Sequence, residues 1–517
     1  MEHSYDEWVS NANEAVEISL VQPAPSGLRS IASFNPKFTY SIFGNEETIF
    51  GYQDLKISLR YHASDMRPNL HVSSSKKMKV VGENEPVDIP AILKDFLPPV
   101  AFQKASEFED AVKQTPAADY TPPGERIKEF YSSDGRYEIW KGTLSDPAVK
   151  QLVSRVQIMV PFFIEGGTFI GSDDSESADR WTIFFLYRTR QSSGSADRYE
   201  HEFAGYSTVY RFLLPLGAAT PPRTVANGES AAETAELQLP ASDSGEPEFS
   251  LATLPCRSRI SQFIILPPFQ GKGNAGRLYS TIFDEYLAEP QTTEITVEDP
   301  NEAFDDLRDI ADLKFLSRLP AFTKTVSINK TVQIPRTGPS PNNIVDASAL
   351  DTLRYQAKIA PRQFNRAVEM YLMQKLAPAV RPTLEGDEDE EEEEEDERAA
   401  ARTAANGKGK APAMPALATK EQQHEYRLWR MFVKQRLYRH NKEILGQLDR
   451  SQRIEKLEET LRSVELEYAR ILSMFESRTK LATVEEAQST ATKRKLTTEA
   501  GAEVAQNGSK KARIEDA

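Results

Sequence analysis

A single cysteine, Cys256, in 517 residues excludes an internal disulfide. The opening Met-Glu-His-Ser-Tyr-Asp-Glu-Trp lacks the basic flank and apolar stretch of a secretion signal. Both absences point to a reducing compartment, cytosol or nucleus. No apolar run approaches the roughly 20 residues of a membrane helix, so bilayer insertion is not expected. The Asn-x-Ser/Thr triplets at Asn329 and Asn507 then read as chance matches. Basic residues are in deficit, 63 against 78 acidic, for a net charge of -15. This disfavours direct nucleic-acid binding and favours a basic polypeptide as partner. Part of the excess sits in one acidic run, so the folded part is nearer neutral. No metal site is expected.

What is present argues for several folded units with long polar inserts. Apolar residues make up 39% of the chain, with 25 Phe and 18 Tyr, while 27% are charged, too long a chain for one core. Residues 1–125, with short alternating runs such as Val16–Leu20 and Ile57–Tyr61, read as a small mixed α/β domain. Residues 126–320 read as a larger α+β domain. It contains a helix and apolar run over Ala148–Phe163, and aromatic and β-branched strands at Trp181–Tyr187 and Ala204–Leu214. A Pro/Ala/Ser/Thr/Glu-rich insertion follows at 217–255, then a strand Ile260–Leu266. After a glycine-rich turn come a helix with Leu278, Ile282, Phe283 and Tyr286 on one face and a strand Glu294–Val297. Strand, helix, strand implies a parallel pair. Residues 321–380 read as helical, interrupted near Thr337-Gly338-Pro339, 381–419 as a disordered acidic linker, and 420–480 as a long charged helix. In that helix Ile454, Leu457, Leu461, Val464, Tyr468, Ile471 and Phe475 make three heptads, enough to pack on the chain's own domains or on a partner helix. Residues 481–517 read as a disordered tail with basic clusters Lys493-Arg494-Lys495 and Lys510-Lys511-Ala512-Arg513, either solubilising or a nuclear import signal.

The chemistry concentrates in residues 260–276, Ile-Ser-Gln-Phe-Ile-Ile-Leu-Pro-Pro-Phe-Gln-Gly-Lys-Gly-Asn-Ala-Gly. A strand that enters a glycine-rich loop and opens a helix aims backbone N–H groups at one spot, which suits a pyrophosphate, though a plain glycine turn has the same composition. A Walker loop fails because Gly273 follows Lys272. Gly271, Gly273 and Gly276 satisfy the dinucleotide spacing, with Glu298 placed to meet a ribose. Against that reading, Pro267, Pro268, Phe269 and Gln270 intervene after Leu266, and the earlier strands read as an antiparallel meander. The remaining reading is Gln-x-x-Gly-x-Ala over Gln270, Gly273 and Ala275, the pyrophosphate loop of acetyl-CoA-dependent N-acetyltransferases.

Specific runs carry a resemblance. Phe162-Phe163-Ile164-Glu165, Ile264-Ile265-Leu266-Pro267-Pro268-Phe269-Gln270-Gly271, Glu298-Asp299-Pro300, and Phe43-Gly44-Asn45-Glu46-Glu47-Thr48 with Phe50-Gly51-Tyr52 occur in a consistent order over residues 10–340. The chain resembles the catalytic subunits of type B histone acetyltransferases, in the GNAT superfamily. The insertion, the Ser172–Ala178 expansion and everything beyond about 380 lie outside the resemblance. It implies a GNAT-type central mixed sheet with flanking helices, acetyl-CoA as co-substrate, the amino-terminal tail of newly made soluble histone four as substrate, a WD-repeat histone-binding subunit as partner, and a cytoplasmic and nuclear location.

Lysine acetylation needs a neutral amine, and at neutral pH only about one free lysine in 10³ is neutral, so a general base is expected. Glu298, Asp299 and Glu302 stand at the end of the second parallel strand. Asp299-Pro300-Asn301-Glu302 fits a capping box for a following helix, which leaves Glu298 as the base. The resemblance points to Glu298 as well, with Glu165 and Asp299 as auxiliary carboxylates. It also assigns the cofactor's pantetheine to Phe263, Ile264 and Ile265, its pyrophosphate to Gln270, Gly271, Lys272, Gly273, Asn274, Ala275 and Gly276, and a further contact to Asn301. Asn45, Glu46, Glu47, Trp181, Tyr210, Arg211 and Phe212 are implied on the peptide side, although Trp181 and Tyr210 also suit core packing. Cys256, at the edge of the insertion with no histidine close in sequence, is a poor nucleophile candidate. The competing readings are an inactive histone-binding scaffold and a nicotinamide-dependent oxidoreductase.

Overall fold

The computed structural model describes the backbone of residues 5–25, 27–80, 85–114, 120–171, 175–191, 199–214, 254–335, 340–384 and 418–508. The insertion up to residue 253, the acidic run and spacer, and the cluster ending at Arg513 lie outside the described residues.

Two compact units result, one of residues 1–301 with 357–360, the other of 302–356 with 361–517. The first holds two larger sheets and two short two-stranded ones. Strands β1 (Val16–Ala24), β2 (Gly27–Phe34), β3 (Lys56–His62) and β4 (Pro68–Ser73) form a sheet of order β2-β1-β3-β4, with β1 and β3 parallel. Val16, Ile18 and Leu20 alternate with Glu17 and Ser19, and the apolar set is buried together with Ile57, Leu59 and Tyr61 of β3.

The second sheet has the order β10-β9-β8-β7-β6-β5, built from β5 (Glu125–Ser132), β6 (Gly135–Thr143), β7 (Trp181–Gln191), β8 (Tyr199–Leu213), β9 (Cys256–Ile265) and β10 (Thr292–Val297). Successive strands from β5 to β9 run antiparallel, and β9 and β10 run parallel. Ile183, Phe184, Phe185, Leu186 and Tyr187 of β7 are all fully buried. A continuous apolar run of this kind requires both faces of the sheet to be covered. Helix α1 (Pro147–Val156), capped by Asp146 with Pro147 in its first turn, is followed by α2 (Met159–Phe163). Helix α3 (Asn274–Ala288) crosses from β9 to β10 and buries Leu278, Tyr279, Ile282, Phe283 and Tyr286.

The expected boundary near residue 125 does not divide compact units, because polar bonds tie the two sheets together. The Phe203 N–H donates to Ala63 O at 2.7 Å, and Lys37 and Phe38 N–H to Phe162 O at 2.9 and 3.0 Å. Arg155 reaches Asp65 Oδ2 at 2.9 Å while His62 Nδ1 lies 2.7 Å from Asp65 Oδ1. Burial pushes the Asp65 pKa up, but His62 and Arg155 outweigh burial and hold it at about 2.

The second unit is helical: α4 (Glu302–Leu316), α5 (Pro361–Lys375), α6 (Lys420–His440) and α7 (Arg450–Gly508). Buried Glu369 accepts from Arg436 at 2.7 and 2.9 Å and from Tyr468 Oη at 2.8 Å. Leu461, Tyr468 and Ile471 are fully buried in this unit, whereas Ile454 is 58% exposed. The C-terminal half of the heptad stripe therefore packs on the chain's own helices. The α7 backbone continues through Lys493-Arg494-Lys495 to Gly508, beyond the expected end at 480. Helix α4 begins at Glu302, not Pro300: Asp299 has φ 33, a left-handed conformation in which it does not serve as the expected cap.

A depressed carboxylate pKa contributes stability above the unfolded value, 3.8, and loses it as pH falls through the folded value, about 2. Asp65→Asn should therefore lower unfolding free energy at pH 7 by about 2 kcal/mol. Denaturant titrations at pH 7 and near pH 2 should show the wild-type advantage shrinking towards the lower pH.

Candidate active site

The site begins where two strands separate. β10 pairs with β9 from Cys256–Thr292 to Ile260–Val297, and the last bond runs from the Glu298 N–H to Ile260 O at 2.8 Å. β9 continues to Ile265 against β8 alone. The Leu266 N–H donates to Ala204 O at 2.9 Å. Antiparallel alternation therefore turns the Ile264 backbone towards β8, and the backbones of Phe263 and Ile265 towards the side that β10 has left. Gly205 is required opposite: a Cβ there would lie 2.2 Å from Ile264 O.

The loop after β9 makes a turn at Pro267–Phe269 and passes through Gly271 and Gly273, with φ 74 and 75, into α3. No side chain caps that helix, and its first backbone bond is Arg277 N–H to Gly273 O at 3.2 Å. By position, the N–H groups of Asn274, Ala275 and Gly276 have no intrahelical acceptor and stand at the positive end of the helix dipole. The loop's polar side chains are turned inward. Gln270 Nε2 donates to Ile265 O at 2.7 Å, Asn274 Nδ2 to Phe269 O at 3.0 Å, and Lys272 Nζ to Pro268 O and Asp134 Oδ2, both at 2.8 Å. Burial raises the Asp134 pKa, but Lys272, Tyr137 and Arg188 leave it below its usual value. A Cβ on Gly271 or Gly276 would meet nothing within 4 Å. Open space beside a row of backbone donors fits a pyrophosphate.

Glu298 stands at the point of separation. Its Oε2 accepts from Ser261 Oγ at 2.5 Å and its Oε1 lies 3.6 Å from Arg259, with the side chain 42% exposed. Asp299 and Asn301 are exposed beside it. Glu165 is exposed in the turn after α2, and that turn is fixed to β9: Gln262, next to Ser261, donates Nε2 to Thr168 O at 2.8 Å.

Of the residues expected on the peptide side, the structure brings together Trp181, Tyr210 and Phe212. Trp181 and Tyr210 lie 4.7 Å apart and Tyr210 and Phe212 4.8 Å, centroid to centroid. Arg180 covers Tyr210 at 4.6 Å and Arg259 covers Phe212 at 4.4 Å. Arg211, between the two aromatics on β8, points to the opposite face and pairs with Glu289. Asn45 and Glu46 are exposed. Glu47 turns inward, accepting from Thr39 N–H at 2.6 Å, Asn13 Nδ2 at 2.8 Å and Tyr40 N–H at 3.1 Å. The Thr39 bond is the main cause of its lowered pKa. Its carboxylate is engaged within the fold.

The sequence reading missed Arg259 and Ser261. It began the strand at Ile260, whereas β9 starts at Cys256. The two-residue alternation of Arg257 and Arg259 was the available signal. Cys256 is fully buried within this strand, not at a loose edge, and burial raises its thiol pKa, so it is unsuited to nucleophilic attack. Among the described residues no cluster of His, Cys, Asp and Glu suits a metal ion.

An antiparallel meander ending in one parallel pair, with a glycine-bearing loop opening the crossover helix, defines the N-acetyltransferase class. Residues 8–165 match the family model described as "Histone acetyl transferase HAT1 N-terminus", and 312–377 the model "Fungal HAT1, C-terminal". The chain is 50% identical over 513 residues to the histone acetyltransferase type B catalytic subunit of Pyricularia oryzae, covering 99% of both chains. With that of Gibberella zeae it shares 49% over 522 residues, again 99% of both, and with that of Candida albicans 30% over 490 residues, 95% of both. The chain belongs to the family of type B histone acetyltransferase catalytic subunits, and it is a histone acetyltransferase.

Gly276→Ala separates the two demands on the anion site. Within the protein the added methyl meets nothing and favours the helix, so thermal stability should hold or rise by about 0.5–1 kcal/mol. Acetyl-CoA affinity, read by titration calorimetry, should fall by about tenfold if the pyrophosphate needs that space.

Proposed function

We propose that the chain acetylates lysine in the amino-terminal tail of newly made, soluble histone four, by direct attack on acetyl-CoA with Glu298 as general base. One observation carries this reading: the Glu298 carboxylate projects at the point where β9 leaves β10, beside the strand edge to which Phe263 and Ile265 turn. Backbone groups of that edge align the pantetheine as an added strand, the loop Gln270–Gly276 receives the pyrophosphate, and Asn301 makes a further contact. The side chains of Gln270, Lys272 and Asn274 serve by shaping the loop, since each already bonds within the protein.

The lysine ammonium gives one proton to Glu298. The neutral amine attacks the thioester carbonyl, the C–N bond forms, and the C–S bond breaks with departure of coenzyme A thiolate. The nitrogen's second proton passes to that thiolate, and Glu298 returns its own to water. No covalent enzyme intermediate is required. Glu165 and Asp299 contribute negative potential around the incoming cation. Trp181, Tyr210 and Phe212 offer flat apolar surface to the extended peptide, and Asn45 and Glu46 offer polar contacts. The net charge of -15 suits a basic tail. A WD-repeat histone-binding subunit as partner and a location in cytoplasm and nucleus complete the proposal.

Glu298→Gln should retain acetyl-CoA affinity while turnover on a histone four tail peptide falls by about 10² to 10⁴. Undiminished turnover would refute the base assignment. Loss of transfer by the wild-type chain on every histone tail would favour a binding scaffold.

A further inference from the structure

A carboxylate base has an inherent drawback towards a lysine substrate. Alone, Glu298 would hold the side chain as its ammonium ion, the unreactive form, because opposite charges at contact favour the charged state of both. The site contains a correction. Arg259 lies 3.6 Å from Glu298 Oε1, held there by its stack on the Phe212 ring at 4.4 Å. Its Nε is buried and makes no hydrogen bond among the described residues. The other arginines on this face are engaged elsewhere, Arg257 with Glu294 at 2.9 Å and Arg180 over Tyr210 at 4.6 Å, while the exposed carboxylates of Asp299 and Glu165 add to the negative potential that Arg259 offsets. Ser261 contributes no charge, and Gln262 anchors the neighbouring Glu165 turn.

We propose that Arg259 is the electrostatic selector of this site, favouring the neutral amine over the ammonium ion at Glu298. The inference rests on Glu298 being the point at which the lysine docks. An amine nitrogen about 3 Å from Oε1 lies within roughly 7 Å of the Arg259 guanidinium, inside the screening length of physiological salt. Glu298 and Arg259 together present the amine with a dipole of no net charge. Repulsion from the guanidinium offsets the attraction that would trap the proton on nitrogen, and a partly exposed pair at this separation supports a shift on the order of tenfold in the protonation equilibrium. A neighbouring cation is a known way of activating an amine. Arg259 thus forms no bond in the reaction and leaves its proton balance unchanged.

The test uses the full chain and a histone four tail peptide carrying a ¹⁵N-labelled target lysine, bound with coenzyme A. The Glu298→Gln background removes the base, so the amine's own titration is read by NMR. Adding Arg259→Gln should raise the bound amine's pKa by about one unit, and Arg259→Lys in its place should restore the lower value. Equal amine titration with and without Arg259 would overturn the proposal, even if Glu298 proves to be the base. Should the double variant bind no peptide, the single variant Arg259→Gln is assayed on lysine and on thialysine, a weaker base. The proposal expects a roughly tenfold loss of kcat at pH 7 that thialysine largely rescues. An equal loss on both substrates, with Phe212→Leu giving the same pattern, would mean a merely structural role and would sink it.

Discussion

The last backbone bond between β9 and β10, from the Glu298 N–H to Ile260 O, organises the site. Upstream, two parallel strands satisfy one another. Downstream, β9 keeps its ladder with β8 and turns its other edge outward, while β10 ends and its next side chain is a carboxylate. A single change of hydrogen-bonding partner thus sets an outward-turned strand edge beside a carboxylate.

The surroundings keep that junction in place with side-chain polar bonds. Asp134 holds Lys272 and through it the loop, Gln262 ties β9 to the turn carrying Glu165, and Ser261 orients Glu298. With Gln270, Lys272 and Asn274 so engaged, the loop is left to present backbone N–H groups instead of side chains. Lys272 of the loop and Asp134 of the turn between β5 and β6 thus act as its frame.

Much of this was legible in the residues. The meander, the crossover helix with Leu278, Ile282 and Tyr286, and the parallel pair followed from periodicity, because both faces of this sheet demand apolar side chains at fixed intervals. The places of the glycine loop after β9 and of Glu298 after β10 were also legible, since both follow directly on the two strands. What was not legible depended on long-range pairing: the inward turn of Glu47 onto Thr39 and Tyr40, the opposite facing of Arg211, and the seat of Arg259 on Phe212. Nor could local composition show that Asp65 joins the first 125 residues to helix α1, since Arg155 lies far along the chain. The capping signal at Asp299 was overridden because its backbone is left-handed.

Gly205 has a consequence beyond its own position. With no side chain between β8 and the Ile264 carbonyl, the two strands meet as backbone against backbone. The outer edge of β9 is thereby set at a fixed height above the sheet floor, like a rail bolted directly to its sleeper. Any bulk slipped between them would tilt the rail and misalign everything that rides along it, without touching Glu298 or the glycine loop.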